Sequence, residues 1–217
     1  MIFDYLINLM NKGFTPRNIL DIGANFGNFS MRCKQTLWLF SNYYLIEANE
    51  ECKFRLSMTG FPNIFYNLLG SEDDKIVTFY KTKDAYACTG NSYYREKTKH
   101  YADDKVIMVN KKMITLDTLF KDKNVKFDFA KLDTQGSELD IIKGGLKTLT
   151  TCKYLLLEVS TKYYNEGIPL KNEIVNFMKD IEYNKYEVID QHMWEQIEPV
   201  GNINMGDIFQ EDIIFYK

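Results

Sequence analysis

Proline and cysteine are both scarce in this 217-residue chain, with 4 of each. So few prolines, an aromatic content of 15% and charges of mixed sign exclude a disordered chain. Cys33, Cys52, Cys88 and Cys152 form no Cys-x-x-Cys pair, which argues against a zinc knuckle or a compact disulfide framework. Buried thiols in a reducing compartment are expected instead. No apolar run approaches the ~18 residues of a membrane helix. Asp4 breaks the partly apolar start and no basic residue precedes it, the reverse of a secretory signal. A cytoplasmic location without a membrane partner is therefore expected. Excess charge is missing as well: the formal net charge is -3, so nucleic acid is not an expected partner. There is no Gly-x-Gly-x-x-Gly, no Gly-x-x-x-x-Gly-Lys, no Pro-Pro and no Pro-Cys.

What is there reads as one folding unit. At ~150 residues per domain, a single domain over 1–217 is predicted. Phe3, Leu6, Ile7 and Met10 fall at helical spacing and predict an N-terminal helix within 1–15, stopped near Gly13 and Thr15-Pro16. Apolar runs predict strands over 19–23, 43–47, 64–69, 127–133, 154–159, 186–190 and 212–216. Helices are predicted over 28–40, 50–58, 137–149 and 172–181. Strands apolar on both faces and separated by helices indicate a mostly parallel sheet covered on each side, a doubly wound α/β fold. The stretch 81–112 breaks the rhythm. It carries +4 net charge against -7 for the rest of the chain, together with Tyr86, Tyr93, Tyr94 and Tyr101. It is either a solvated insertion or an acceptor-facing lobe, with tyrosines to stack on a sugar or base and lysines to meet an anionic group.

The most informative stretch is Asp21-Ile22-Gly23-Ala24-Asn25-Phe26-Gly27, where a predicted strand enters a glycine turn and then a helix. Gly23 permits the sharp turn, and Gly27 permits close approach at an anion-friendly helix start. An acidic residue opening such a turn suits a cationic ligand better than a pyrophosphate. S-adenosylmethionine offers both an ammonium and a sulfonium. Glu47 ends the second predicted strand, where a carboxylate can accept the ribose hydroxyls of a nucleoside. The competing reading has Asp21 merely tying the turn and Glu47 exposed. The order of acidic strand end, two glycines and second acidic strand end favours the cofactor.

A second block reads Lys131-Leu132-Asp133-Thr134-Gln135-Gly136-Ser137-Glu138, closing with Lys143-Gly144. Paired with the glycine turn, it resembles the FkbM-type family of S-adenosylmethionine-dependent methyltransferases. Thr115-Leu116-Asp117, Leu157-Glu158-Val159 and Asp212-Ile213-Ile214-Phe215 are also similar to that family's pattern. The resemblance covers roughly 18–216. It implies a Rossmann-like, seven-stranded methyltransferase sheet with an antiparallel last strand. It also implies methyl transfer to a hydroxyl of a small, carbohydrate-like or secondary-metabolite acceptor, here extended to an anionic glycoconjugate. By the same resemblance, Asp21, Gly23, Asn25, Gly27 and Glu47 should line the cofactor, with Leu69 and Gly70 near its adenine. Phe26 departs from the small or β-branched residue commoner at that position.

Transfer from a sulfonium needs acceptor and methyl held in line at ~3–3.5 Å, and a group to receive the hydroxyl proton. Asp133, ending the fourth predicted strand beside the crevice, is the first candidate. Glu138 is the second, although it can equally cap loop N–H groups. Lys131 is expected to orient a carboxylate, and Glu158 is a third acid. His192 has a suitable pKa but is expected in a surface loop without a partner, and His100 is assigned no role. Strand five ends Glu158-Val159-Ser160-Thr161, without the Asp/Asn cluster of a metal-dependent catechol-type site, so no metal is expected. An NAD-linked oxidoreductase and a non-catalytic binding module remain open alternatives. The acceptor and the oligomeric state are not legible.

Overall fold

The computed structural model describes residues 1–83, 88–196 and 199–217, and for Cys88 and His100 the backbone alone. Tyr86 lies outside the described residues. Helix α1 (Ile2–Asn11) leads into β1 (Asn18–Ile22), α2 (Asn28–Thr36), β2 (Asn42–Ile46), α3 (Lys53–Ser57) and β3 (Asn63–Phe65). Strands β4 (Leu68–Leu69), β5 (Ile76–Thr82) and β6 (Val106–Ile114) follow, then α4 (Leu116–Phe120) and β7 (Phe129–Leu132). The chain closes with α5 (Glu138–Lys143), α6 (Leu146–Leu149), β8 (Tyr154–Ser160), α7 (Lys171–Asp180), β9 (Lys185–Met193) and β10 (Ile208–Tyr216).

Seven strands form one sheet in the order β3-β2-β1-β7-β8-β10-β9. The first five are mutually parallel, and β10 runs antiparallel to both of its neighbours. The order reverses between β1 and β7, where the ends of parallel strands splay open to ligands. Side chains alternate across each strand, and the central strands are apolar on both sides. Leu20, Ala130, Leu157 and Ile213 therefore enter one core, with α4 to α7 supplying Leu116, Leu139, Leu149 and Ile174. Ile19, Phe129, Leu156 and Ile214 enter the other, against Leu6 and Leu9 of α1 and Cys33 of α2.

That alternation also places the polar groups. Asp21 sits opposite Lys131 in the β1–β7 register, and Lys131 opposite Leu156 in β8. Two residues beyond Leu156, Glu158 lies opposite Asp212. Asp21, Lys131, Glu158 and Asp212 thus share the α1 face of the sheet, all toward the C-terminal ends of its parallel strands.

Four elements differ from the sequence reading. The strand expected over 64–69 divides: β3 pairs with β2, whereas β4 leaves to pair with Met113 and Ile114 of β6 in a separate three-stranded sheet. The stretch 81–112 begins and ends inside the antiparallel β5–β6 pair, so the tyrosine-rich lobe grows from a hairpin. The helix expected over 137–149 breaks at Gly144-Gly145. Asp117 accepts the Lys147 and Thr148 N–H groups at 3.1 and 2.7 Å and caps the new helix, which gives the Thr115-Leu116-Asp117 motif a structural role. The helix expected over 28–40 ends at Thr36, where the Leu37 and Trp38 N–H groups both turn back to the Cys33 carbonyl. Cys33, Cys52 and Cys152 are buried and form no disulfide. Among the described residues, no helix is long and apolar enough to cross a membrane.

Candidate active site

The turn after β1 is built by hydrogen bonds across the strand ends. Gly23 and Ala24 donate their N–H groups to the Ile46 carbonyl, at 2.9 and 3.1 Å, which closes the turn onto β2. Gly23 adopts φ +76°, and a Cβ there would overlap the Asp133 carbonyl oxygen. No other residue fits that position. Asn25, itself at φ +50°, donates its N–H to Glu47 Oε2 at 2.7 Å, and Glu47 Oε1 accepts the Asn49 N–H at 2.7 Å. Burial raises the Glu47 carboxyl above its ordinary range, against the pull of those two N–H bonds. The first glycine block and the second acidic strand end are therefore one unit.

A cleft of about 910 Å³ opens over these strand ends. This lies near the top of the ~300–1,000 Å³ range of small-ligand clefts. Gly23, Asn25, Glu47, Leu68 and Leu69 form one wall. Lys131, Asp133 and Gln135 lie at its centre, and Glu158, Tyr164, Trp194, Phe209 and Gln210 form the far wall. Asp21 is fully buried one layer behind, where Oδ2 accepts the Ser30 hydroxyl at 2.6 Å. Gly27 starts α2 facing Leu56 and Thr59, and Gly70 packs on Met113, so neither is among the wall residues.

Lys131 is the positive centre of the site. Its Nζ lies 3.0 Å from Asp133 Oδ2 and 3.8 Å from Asp21 Oδ1. Burial would depress the ammonium, but Asp133 and Asp21 outweigh it and hold the group above its ordinary value. Burial likewise works to raise Asp133, yet Lys131 and the Gln135 amide hold that carboxyl below its ordinary range. Asp133 therefore faces the cleft ionised. Glu138 faces elsewhere: Oε1 accepts the Thr134 N–H at 2.6 Å and Oε2 the Gly136 N–H at 3.0 Å. Burial pushes its carboxyl up to about 7. It is 1% exposed and is not among the wall residues, a placement that organises the loop after β7.

Of the far wall, sequence reasoning reached Glu158 alone. Gln135, at φ +57°, donates to Glu158 Oε2 at 2.5 Å and accepts from the Tyr164 hydroxyl at 2.9 Å. Gln210 donates to Glu158 Oε2 at 2.9 Å and to the Tyr164 hydroxyl at 2.6 Å. Burial first, and then the carboxylates of Asp133, Glu138 and Asp212, push Glu158 well above its ordinary range. Gln135 and Glu158 lay within recognised motifs; Tyr164 and Gln210 did not.

His192 is not in a loop. It belongs to β9, and its Nε2 lies 2.9 Å from Asp212 Oδ2, a contact that raises the imidazole above its ordinary pKa. The lobe also differs from expectation. Tyr93 reaches the cleft, but no described lysine or arginine of 81–112 lines it. Lys81 pairs with Glu51, Lys112 with Asp74 and Arg95 with Asp103, and Lys111 donates to the Ala48 carbonyl.

Comparison with known proteins decides the family. The profile of the methyltransferase FkbM domain matches residues 21–188, more than half of the chain. The chain belongs to the FkbM methyltransferase family. The similar solved structures show the same fold at low identity. An FkbM methyltransferase from Methylobacillus flagellatus KT is 14% identical with a TM-score of 0.54, covering 92% of this chain and 43% of that one. This FkbM-family chain thus spans less than half the length of that relative. The SAH-bound N-terminal domain of EvdMO1 is 8% identical with a TM-score of 0.53, covering 98% and 79%. The METTL16 methyltransferase domain is 10% identical with a TM-score of 0.51, covering 99% and 66%. No curated protein matches the chain in sequence.

The methyl donor of the FkbM family is S-adenosylmethionine, and the cleft fits it. The donor chemistry of the lining carries that fit: the Glu47 and Asp133 carboxylates suit a ligand with hydroxyl and cationic groups, and Phe26, Leu68 and Leu69 suit a flat apolar ring.

Proposed function

We propose that this chain is an S-adenosylmethionine-dependent O-methyltransferase acting on a small, neutral, hydroxylated acceptor of carbohydrate-like or secondary-metabolite type. The observation that carries this reading is the placement of Asp133, an ionised carboxylate held by Lys131 in the cleft that Glu47 and Asn25 also line. Gly23, Asn25, Glu47 and Leu69 would hold the cofactor directly, and Asp21, Gly27 and Gly70 would support that wall from behind. Bound there, the cofactor supplies a methyl group already activated by its sulfonium.

Asp133 would accept the acceptor's hydroxyl proton as a hydrogen bond, fixing the oxygen for in-line attack. Lys131 keeps that carboxylate ionised and oriented. Glu138 is then a positioning residue, because both of its oxygens are engaged in the loop that carries Asp133 and Gln135. A neutral acceptor is favoured over an anionic one, since of the cations in the lining Lys131 is committed to Asp133 and Asp21, Arg32 lies over the Phe3 ring, and no described lobe lysine reaches the cleft. Tyr93, Tyr164, Trp194 and Phe209 offer apolar faces against which a ring can pack.

Incubation with methyl-labelled cofactor and a panel of sugars, polyols and phenols tests this directly. Label should appear as an ether in at least one neutral hydroxylated acceptor, and Asp133→Asn should suppress it. Cofactor binding with no transfer across the panel would instead favour a non-catalytic binding module. Label on nitrogen alone would remove the O-directed part.

A further inference from the structure

Three adjacent strands bring Glu158, Asp212 and His192 to one spot beyond the cofactor half of the cleft. Their potential ligating atoms all lie within 4.8 Å of one another. Each comes from a different strand: Glu158 from β8, Asp212 from β10 and His192 from β9. Asp212 stands directly opposite Glu158, and His192 opposite Gln210, two residues before Asp212 on the same face.

Two carboxylates directly opposed on neighbouring strands repel each other, more strongly where water is excluded. Asp212 has a side-chain exposure of 9%. Glu158 has the Asp133 and Glu138 carboxylates around it as well, with Lys131 as the nearby cation. That cation is already committed, at 3.0 Å to Asp133 and 3.8 Å to Asp21. Asp212 is met by His192 at 2.9 Å, whereas Glu158 is met by the Gln135 and Gln210 amides, and among the described residues no side chain committed to it balances its charge.

Geometry and donor chemistry indicate what would. Metal bonds of about 2.0–2.2 Å place neighbouring ligand atoms about 3 Å apart or slightly more. His192 Nε2 and Asp212 Oδ2 are 2.9 Å apart. The Gln135 and Gln210 amides already orient the Glu158 carboxylate, the kind of support that tunes a metal ligand. His192 is 40% exposed, which leaves an entry path from solvent. One imidazole nitrogen with two carboxylate oxygens suits Mn²⁺ or Zn²⁺ better than Ca²⁺ or Mg²⁺.

We propose that Glu158, Asp212 and His192 form a binding site for one divalent transition-metal cation. This inference does not rest on the methyl-transfer reading. It reverses the expectation of no metal, which considered only the ends of strands four and five. Because Glu158 also lines the cleft, the cation would stand at the boundary between the acceptor space and solvent.

The two histidines of the sequence make the test direct. Paramagnetic Mn²⁺ is titrated into chelator-treated protein while the imidazole signals of His192 and His100 are followed by NMR. The site predicts broadening of His192 well before His100, one Zn²⁺ bound per chain by calorimetry, and a loss of affinity of at least ~10-fold in Asp212→Asn and His192→Gln. Millimolar Mn²⁺ that leaves His192 sharp, or broadens both histidines together, would overturn it. So would unchanged Zn²⁺ affinity in either variant. If a variant melts early, the wild-type titration and its stoichiometry still decide. S-adenosylhomocysteine binding in the same sample separates the two readings, since cofactor binding without metal binding removes the metal site alone.

Discussion

Lys131 Nζ lies 3.0 Å from Asp133 Oδ2, and that pair sets the electrostatics of the cleft. A carboxylate so held is ionised at any ordinary pH. It is also a weak base, suited to receiving a hydroxyl proton late in the transfer. Its removal should therefore fall toward the lower end of the ~10²–10⁴-fold range of general-base loss. Asp133→Asn is expected to lower turnover by about 10²-fold while leaving S-adenosylhomocysteine affinity within a few-fold, measured by single-turnover kinetics and calorimetry. A collapse of cofactor affinity would make Asp133 a cofactor ligand.

Glu138 predicts a pH effect on stability. Its carboxyl is 1% exposed and pushed up to about 7 from 4.5. The folded state thus binds this proton more tightly than the unfolded state. The resulting stabilisation is full below about pH 4.5, declines as pH rises, and is gone above about pH 7. A shift of that size corresponds to about 3 kcal/mol. Urea titrations between pH 4 and 8 should show a steeper loss of stability with rising pH in the wild type than in Glu138→Gln. Parallel curves would contradict the assignment.

Tyr93 and Tyr94 fasten the lobe to α5 through one carboxylate. Their hydroxyls donate to Asp140 Oδ2 at 2.9 and 2.8 Å. Their rings lie 4.8 Å apart, centroid to centroid. Either Tyr→Phe change should cost roughly 1 kcal/mol. The double change should raise amide exchange across 88–101 before it affects the central strands.

Phe129 tests the second core. It is fully buried in β7, with its ring 5.5 Å from Trp38 and 6.5 Å from Phe29, centroid to centroid. Phe129→Ala should destabilise the chain by about 3–5 kcal/mol in chemical denaturation, since the sheet above and the helices below cannot both collapse into the space.

The central strands and the cofactor turn were legible because their signals are local. Asp21 and Gly23 sit in one apolar run and turn, and the second acidic end at Glu47 follows a run of the same kind. Apart from Glu158, the far wall was not legible. Strand β9 is a sheet edge, largely exposed, so its pairing through Gln191, His192 and Met193 follows the β10 backbone and leaves no apolar period. The β4–β6 pairing joins Leu68 to Met113 across the whole lobe. Tyr164 and Gln210 meet Gln135 only through tertiary packing, and no spacing in the chain announces them.

Calorimetry with S-adenosylhomocysteine tests the central claim most directly. The account predicts one site per chain, weakened about 10–100-fold in Glu47→Gln, where an amide replaces a carboxylate that accepts two N–H groups. Folded wild-type protein that releases no heat and gains no thermal stability with this ligand would contradict it.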